Sequence, residues 1–426
     1  MLTRTLLPHF LVVVAFCVAA DSPTAKPIQI VGEAPVLAHE KPATDWPCWR
    51  GPHRNGTSSE SLVPPSDQAT GYKVLWKASV GKGFSSFAVA DGRAFTMGNV
   101  DDTDTVFCFD AGTGKVLWKH SYPCPLRPLA YEGGPSATPA VEGGRVYTLS
   151  KSGHLFCLDA TTGLVVWSKK FDPAPRGEGD YHVDWGYAAS PLVMGEKLIL
   201  SVGRAGMAID KANGKVIWDN GPGRPGYSSP VPFVQNGRSC LAVLAARGVV
   251  AVEVSFGKVL WTIPWRTPED QNSPDVLISD GKLFVSTSHG VGCALFDIAS
   301  EPKEIWRNKN MRSEMSSPVF WKGCVYGFDG NRLACIDWAT GERRWSEPGL
   351  GRGTLILAKG RLIVLGERGN LAVAEATSEA YRPLGKPQPV LSGRCWTAPA
   401  YSSGRIFFRS AAGDVVCLGV HPEDSR

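Results

Sequence analysis

Short runs of alternating apolar and polar residues, separated by turns rich in glycine, fill the chain from about residue 72 onward. One phrase recurs among them. It begins with an apolar run that ends in an acid, and a glycine follows four residues after the acid. A second apolar run then ends in a tryptophan, eight residues after the acid. The five regular copies have their acids at Asp110, Asp159, Asp210, Glu253 and Asp337. Alternation with period two predicts β-strands, and a glycine turn between two such runs predicts a hairpin. The pattern therefore predicts an all-β chain.

The tryptophan that ends each copy is interpreted as a structural anchor. A large ring at a fixed place in every repeat fits between neighbouring sheets, where it buries roughly 200 Å² of surface. These docking residues are Trp118, Trp167, Trp218, Trp261 and Trp345 in the regular copies, Trp306 in a looser copy, and Trp76 ahead of the first unit.

A cluster of small residues, often Ser-Pro, precedes each copy and is followed by two more predicted strands. The result is four strands per unit, with units starting near residues 84, 136, 187, 227, 272, 315 and 353. Residues 396–420 hold only three predicted strands, and the unpaired run at 72–77 supplies a fourth. Joining the two ends removes exposed sheet edges. We therefore predict an eight-bladed β-propeller over residues 72–420, closed by its N-terminal strand.

The residues outside the ring suggest export. Residues 1–20 are predicted to form a signal peptide, because Arg4 precedes an apolar run at 10–20 that is too short to cross a bilayer. The bulky Phe16 before Cys17 argues against lipidation there. Residues 21–45 are predicted to be a flexible Pro-rich tether, 46–71 a lead-in packed on the propeller, and 421–426 a tail. We expect a periplasmic or extracellular protein with no transmembrane segment.

The charge composition restricts the classes of binding partner that are expected. The net charge is +5, from 45 basic and 40 acidic residues, and no long basic run occurs. A mixed surface of this kind does not favour a nucleic-acid partner. A closed ring satisfies its own edges, so a monomer is expected.

The phrase Asp-Ala-x-Thr-Gly-x-x-x-Trp resembles the repeat of the pyrroloquinoline quinone (PQQ) propellers, whose blades dock through tryptophan. The resemblance covers residues 72–420. The lead-in from Trp46 to Gly56, which reads WPCWRGPHRNG, resembles the opening of exported PQQ-like proteins of the planctomycete type. The outer-membrane assembly lipoprotein BamB is similar in fold and size, and it is a scaffold. The resemblance implies a Trp-docked propeller that acts as a non-catalytic binding or scaffold protein.

The same resemblance implies an alternative, a PQQ- and calcium-dependent oxidoreductase acting on alcohols or sugars. Its family pattern has two adjacent cysteines over the quinone, and no two cysteines are adjacent here. We therefore expect no cofactor, no metal site and no catalytic residue, with PQQ and calcium as the alternative. A third hypothesis is a hydrolase or lyase whose active site is built from channel loops.

Candidate binding residues cluster ahead of predicted inner strands. The run at 181–187 is unusually polar and aromatic, and loops at the mouth of a propeller channel often carry recognition. If these residues converge, they form a mouth suited to a saccharide, another small ligand, or an envelope or secreted protein. The candidates are Arg127, His182, Asp184, Trp185, Tyr187, Tyr227, Glu314, Arg352 and Trp396. For each candidate, the alternative is a solvated position on the channel rim or a role in structural packing. Trp46 and Trp49 are interpreted as residues that attach the lead-in to the ring.

Overall fold

The computed structural model describes residues 45–63, 71–129, 131–171 and 185–420, and within them the chain is almost entirely β-strand. The single helical turn of the described part is a 3-10 turn at Pro268–Asp270. The strands form eight sheets, each built largely from consecutive antiparallel strands. The predicted signal peptide, most of the tether and the tail lie outside the described residues.

The eight sheets are the blades of a β-propeller, which confirms the predicted fold. We number them along the chain and give the strands of each from first to fourth. Blade 1 contains Ala88–Ala90, Arg93–Val100, Thr103–Asp110 and Val116–Pro123; blade 2 contains Ala140–Glu142, Arg145–Leu149, His154–Asp159 and Val165–Lys170; blade 3 contains Leu192–Met194, Lys197–Leu200, Met207–Asp210 and Val216–Asp219; blade 4 contains Val231–Gln235, Arg238–Ala245, Gly248–Glu253 and Val259–Pro264. Blade 5 contains Leu277–Ser279, Lys282–Thr287, Gly292–Asp297 and Lys303–Asn308; blade 6 contains Val319–Trp321, Cys324–Asp329, Arg332–Asp337 and Arg343–Glu347; blade 7 contains Thr354–Ala358, Arg361–Leu365, Asn370–Glu375, Arg382–Pro383 and Gln388–Pro389; blade 8 contains Ala400–Ser402, Arg405–Arg409, Asp414–Gly419 and Lys73–Ser79.

The first strand of each blade lies nearest the axis of the ring. First strands of neighbouring blades contact one another, whereas the fourth strands carry most of the exposed apolar side chains. The second and third strands are almost continuously buried, since both of their faces pack against adjacent blades.

The ring closes at blade 8. Its fourth strand, Lys73–Ser79, comes from the N-terminal side and pairs antiparallel with Asp414–Gly419 from the C-terminal side. The same junction holds Arg409, a fully buried cation. Its guanidinium donates to the carbonyl oxygens of Ser85 (2.9 Å), Met97 (2.6 Å) and Gly81 (3.1 Å), all of them between blades 8 and 1.

The docking tryptophans occupy equivalent places in seven blades. Each indole packs between its own blade and the next, and in six of them the ring nitrogen donates to a backbone carbonyl in the hairpin turn of the following blade. These bonds join Trp76 to Ala111, Trp118 to Ala160, Trp167 to Lys211, Trp218 to Val254, Trp306 to Trp338 and Trp345 to Thr377. Trp261 instead donates to Oε1 of Gln235, whose amide group reaches the carbonyls of Ile298 and Ser300 in blade 5.

The acid and the glycine of the repeat build the turn that receives this ring. In blade 1, Oδ1 of Asp110 accepts hydrogen bonds from the backbone amides of Gly112 (3.1 Å) and Thr113 (2.8 Å). Gly114 follows at φ +72°, and a Cβ added there would lie 2.6 Å from the Trp76 ring. Glycine is therefore required both by the backbone conformation and by the docked indole.

Blade 7 is the irregular one. Its outer edge consists of two short strands, Arg382–Pro383 and Gln388–Pro389, and the turn after Glu375 receives Trp345 although it lacks the glycine. Proline cannot donate to a strand ladder, so a continuous fourth strand does not form. The sequence around Glu375 keeps the acid of the repeat but lacks its glycine and its tryptophan.

A chain of hydrogen bonds links six blades close to the axis. Two residues before each first strand, a backbone amide donates to a small polar side chain at the equivalent position in the next blade. The bonds run from Ser86 to Thr138 (3.0 Å), Thr138 to Ser190 (2.9 Å), Ser190 to Ser229 (2.9 Å), Ser229 to Asp275 (2.7 Å) and Asp275 to Ser317 (2.9 Å). The recurring small-residue clusters are thus explained, because only short side chains fit this narrow circle and also carry the acceptor.

Candidate functional site

The N-terminal segment, defined here as residues 45–63, runs across one end of the central channel. It contacts the end of the first strand, or the turn after it, in several blades around the ring. Its contacts are Trp46 with Val89 in blade 1, Pro47 with Val141 in blade 2, Arg54 with Val193 in blade 3, Thr57–Ser58 with Leu357–Ala358 in blade 7, and Glu60 with Ser403 and Gly404 in blade 8. One end of the channel is therefore covered by the chain itself.

Two side chains of this segment reach further into the channel. Arg50, only 3% exposed, donates to the carbonyl of Pro318 at 2.6 Å, and its Nε lies 3.8 Å from Oδ2 of Asp275. The indole nitrogen of Trp49 donates to the same Oδ2 at 2.7 Å. Burial raises the pKa of the Asp275 carboxyl and lowers the pKa of Arg50 to about 10, while each charge partly offsets the shift of the other.

Above Trp49 and Asp275 the channel widens into a cavity of about 150 Å³. Trp49 and Asp275 contribute to its floor, and the connections that lead into the first strands form its walls. Ser190 and Ser229 of the axial hydrogen-bond chain also face it. The cavity is thus a one-ended pocket rather than a through-channel.

Five aromatic rings make a continuous wall of this pocket, in the order Trp396, Phe84, Tyr131, Trp185 and Tyr227. Phe84 stacks on Trp396 with centroids 6.3 Å apart, and Tyr131 meets Trp396 edge to face at 5.0 Å. Tyr131 lies 6.4 Å from Trp185, which meets Tyr227 edge to face at 5.7 Å. All five line the cavity. The indole nitrogen of Trp185 is buried and has no hydrogen-bond partner among the described residues.

Ion pairs surround the aromatic wall on one side. Arg394 pairs with Glu132 at 2.6 Å and lies over the Trp396 ring at 4.5 Å. Arg352 pairs with Glu314 at 3.0 Å. Burial raises the pKa of the Tyr131 hydroxyl, with the nearby Glu314 acting in the same direction. These charges fix the rings in place and neutralise one another.

A second cationic group lies on the blade 2 side. Lys151 lines the cavity, and its Nζ donates to the carbonyl oxygen of Arg127 at 2.7 Å. Burial, and then the positive charge of Arg127, lower the pKa of Lys151. Within the described ranges neither side chain forms an ion pair with a carboxylate.

The structure brings together three of the residues selected from the sequence. Trp185, Tyr227 and Trp396 line the pocket. Glu314 and Arg352 pair at its rim, and exposed Arg127 lies beside Lys151. Tyr187 does not face the pocket: it is buried in the apolar core between blades 2 and 3. His182 and Asp184 lie outside the described residues.

Sequence reasoning missed Phe84, Tyr131, Trp49 and Asp275 as parts of this site. Phe84 immediately precedes the small-residue cluster of blade 1, and Tyr227 and Trp396 hold the same position before their own clusters. Applying this position to every blade identifies Phe84 from the sequence. Asp275 replaces the serine or threonine of the other linked blades, which is also readable from the sequence. Trp49 attaches the lead-in to the ring through its bond to Asp275, in line with its interpretation from the sequence, and it also lines the cavity.

The described residues were compared with the patterns of metal sites and of reactive thiols. No three His, Cys, Asp or Glu side chains among them are placed to hold a metal ion. Every cysteine of the described chain is buried and unpaired, and burial raises the pKa of most of these thiols. A thiol in this state is a small apolar side chain rather than a nucleophile. No helix of the described chain is long and apolar enough to span a bilayer.

Together, the fold and this site define a Trp-docked, eight-bladed propeller with a one-ended central pocket. The family model described as "Outer membrane protein assembly factor BamB" matches residues 59–130 and 125–347. The chain therefore belongs to the family of this model, which is a family of PQQ-like β-propellers. No curated protein matches its sequence.

Solved structures share the fold at low sequence identity. BamB from Moraxella catarrhalis has a TM-score of 0.61 and 15% identity, covering 82% of this chain and 99% of that one. Quinohemoprotein alcohol dehydrogenase from Comamonas testosteroni has a TM-score of 0.61 and 14% identity, covering 90% of this chain and 82% of that one. The computationally designed Ika8 protein has a TM-score of 0.59 and 13% identity, covering 80% of this chain and 96% of that one. An assembly factor, an enzyme and a designed protein thus share one architecture, so function must be argued from the site.

Proposed function

We propose that this protein is an exported, non-catalytic propeller that binds its ligand in the one-ended aromatic pocket. The observation that carries the proposal is the continuous wall from Trp396 to Tyr227 above a floor closed by Trp49. A concave, largely apolar site with a few convergent polar groups is the usual form of a ligand-binding site.

The floor supports binding rather than chemistry. A carboxylate that acts as a general acid or base must be free to exchange a proton with the ligand. Both oxygens of Asp275 are already used, one by the amide of Ser229 and the other by Trp49 and Arg50. The rim acids Glu132 and Glu314 are paired with arginines. The carboxylate of Glu367 accepts the indole nitrogen of Trp396 at 3.3 Å and the amide of Arg352 at 3.2 Å.

The oxidoreductase alternative needs a site for PQQ and calcium, and the described residues do not fit one. Calcium takes six to eight oxygen ligands, several of them carboxylates. The carboxylate nearest the axis, Asp275, is held by a cation and an indole donor, so it is not available as a ligand. Two adjacent cysteines are also lacking in this sequence.

The experiment compares binding with turnover on the same purified protein. PQQ and Ca²⁺ are added together with a panel of alcohols and sugars, and dye reduction and the thermal unfolding midpoint are both recorded. We expect no dye reduction, and a panel compound that raises the midpoint of the parent protein but not of Tyr131→Ala. The variant Phe256→Ala serves as a matched control, because Phe256 is 78% exposed on blade 4. Dye reduction that depends on PQQ would overturn the proposal.

Export is tested by cell fractionation of the full chain and of a form lacking residues 1–20. We expect the full chain outside the cytoplasm and the shortened form inside it. The partner envisaged for a binding protein in that compartment is a small ligand, a saccharide, or an envelope or secreted protein.

A further inference from the structure

The shape of the pocket restricts how a ligand enters. One end of the channel is covered by residues 45–63, and Trp49 separates that segment from the cavity. A polymer cannot thread through, so only a terminal group enters. A cavity of about 150 Å³ holds on the order of ten water-sized groups. That is the scale of a single six-membered ring with its substituents.

The aromatic wall favours a puckered, saturated ring. Tyr131 against Trp396 and Trp185 against Tyr227 are both edge-to-face pairs, with interplanar angles of 82° and 79°. Neither pair leaves a slot between two parallel faces for a flat nucleobase, and the nearly parallel rings of Phe84 and Trp396 are stacked on each other at 6.3 Å. It does present ring faces to the cavity, and the C–H face of a sugar packs well on the negative face of an indole or phenol ring.

Hydroxyl groups at the floor suit a sugar as well. Oγ of Ser190 and Oγ of Ser229 each accept a backbone amide from the preceding blade. A serine hydroxyl has one donor besides its acceptor sites, and both residues line the cavity. Their O–H groups are thus placed to donate to ligand oxygens, and the buried Nε1 of Trp185 is one more donor that has no partner in the described part of the chain.

The charge on the remaining side favours an anionic group. The ion pairs Arg394–Glu132 and Arg352–Glu314 are internally neutral. Lys151 and Arg127 are neighbouring cations, and neither forms an ion pair with a carboxylate of the described residues. The nearby Asp104 is buried, with 1% of its surface exposed. Two like charges at a partly desolvated site are stabilised by an opposite charge on a ligand.

We infer that the pocket binds the terminal unit of a saccharide carrying a carboxylate, with the sugar ring against the wall from Trp396 to Tyr227 and the carboxylate toward Lys151. This inference rests on the proposed function and names its ligand class.

The test uses methyl glycosides of glucuronic and galacturonic acid as probes, and methyl glucoside and methyl galactoside as neutral counterparts. Binding is measured by tryptophan fluorescence and calorimetry. We expect at least one acidic probe to bind ten or more times more tightly than its neutral counterpart. Lys151→Met should remove that difference, and Trp185→Ala should weaken both probes at least tenfold.

Two matched controls separate these effects from general damage. Lys258→Met removes an exposed cation on blade 4, and Phe256→Ala removes an exposed ring there; both should bind like the parent. Unfolding midpoints of all variants are measured, and Lys151→Arg should retain preference for the acidic probe.

Three results would overturn the inference: no binding of any glycoside, equal binding of acidic and neutral forms, or an unchanged preference in Lys151→Met. Binding of adenosine monophosphate or a short peptide instead, lost in Trp185→Ala, would also overturn it but leave the proposed function standing. PQQ-dependent dye reduction would overturn both the inference and the proposed function.

Discussion

The indole nitrogen of Trp49 donates to Oδ2 of Asp275 across 2.7 Å, which ties the N-terminal segment to the residues just before the first strand of blade 5. The same oxygen lies 3.8 Å from Nε of Arg50. Asp275 also accepts the amide of Ser229, so one carboxylate serves the axial hydrogen-bond chain and the covered end of the channel together. The pocket floor and the ring are therefore one structural unit.

The first prediction concerns this buried pair. Asp275→Ala leaves the Arg50 cation buried without its counter-charge, which costs about 3–5 kcal/mol of unfolding free energy. Replacing both residues, as Arg50→Met with Asp275→Ala, removes the stranded charge and should be less destabilising than the sum of the single changes. Chemical denaturation of all four proteins gives the coupling. Additive effects would contradict the pairing.

The second prediction tests the docking of a tryptophan on a glycine turn. A Cβ at Gly257 would lie 2.6 Å from the Trp218 ring, and the backbone there has φ +72°. Gly257→Ala should therefore cost about 1–2 kcal/mol from the left-handed backbone and a further amount from the clash. In a Trp218→Ala background only the backbone cost should remain. A Gly257→Ala effect of equal size in both backgrounds would argue against the docked geometry.

A milder change isolates the hydrogen bond of the same ring. Trp218→Phe keeps an aromatic ring but loses the donor to the Val254 carbonyl, held at 2.9 Å. We expect a loss of about 1 kcal/mol, against about 3–5 kcal/mol for Trp218→Ala. The two variants are compared by urea denaturation. No loss in Trp218→Phe would show that the bond to Val254 contributes nothing separate from packing, and a loss equal to that of Trp218→Ala would show that the retained ring contributes nothing.

The sequence was sufficient for the fold because the repeat is mechanically strict. The acid makes the turn, the glycine admits the ring, and the tryptophan fills the gap between blades, so five copies keep one spacing. The close approach of Gly114 to Trp76 shows this directly. The pocket follows no such period. Tyr131 and Trp185 come from connections of different length, and Trp49 reaches the channel only because the N-terminal segment crosses the ring. Tyr187 lies two residues from Trp185, yet it packs in the core between blades 2 and 3.

The third prediction concerns the closure of the ring. Arg409 is a buried cation whose partners at the junction of blades 8 and 1 are backbone carbonyls. Arg409→Met removes this donor from the carbonyls of Met97 and Gly81, while the Ser85 carbonyl keeps the Thr96 hydroxyl as a donor at 3.0 Å. Each lost bond to a buried carbonyl is worth about 1–3 kcal/mol, so a loss of at least about 2 kcal/mol is expected. Arg238→Met, on an exposed position of blade 4, is the matched control. Hydrogen exchange should increase first in the strand Asp414–Gly419; uniform exchange across all blades would place the weak point elsewhere.

The fourth prediction is a dependence on pH. Burial raises the pKa of the Asp104 carboxyl above its ordinary value of 3.8, although Asn99 donates to its Oδ1 at 2.7 Å. Between the unfolded and the folded pKa, the native protein binds more protons than the unfolded chain does. The contribution of Asp104 to stability is therefore present at low pH and is lost as the pH rises through this window. Asp104→Asn removes this dependence, so the stability of the variant relative to the parent should improve from pH 4 to pH 7.

The measurement for Asp104 is urea denaturation of the parent and the variant at four or five values across that pH range. Asp280→Asn, at an exposed turn of blade 5, controls for the loss of a carboxylate at the surface. The slope of the difference in unfolding free energy against pH carries the sign of the pKa shift. A stability of Asp104→Asn relative to the parent that falls toward neutral pH would mean that the folded state favours the charged form of Asp104, and the hydrogen bond from Asn99 would then outweigh burial.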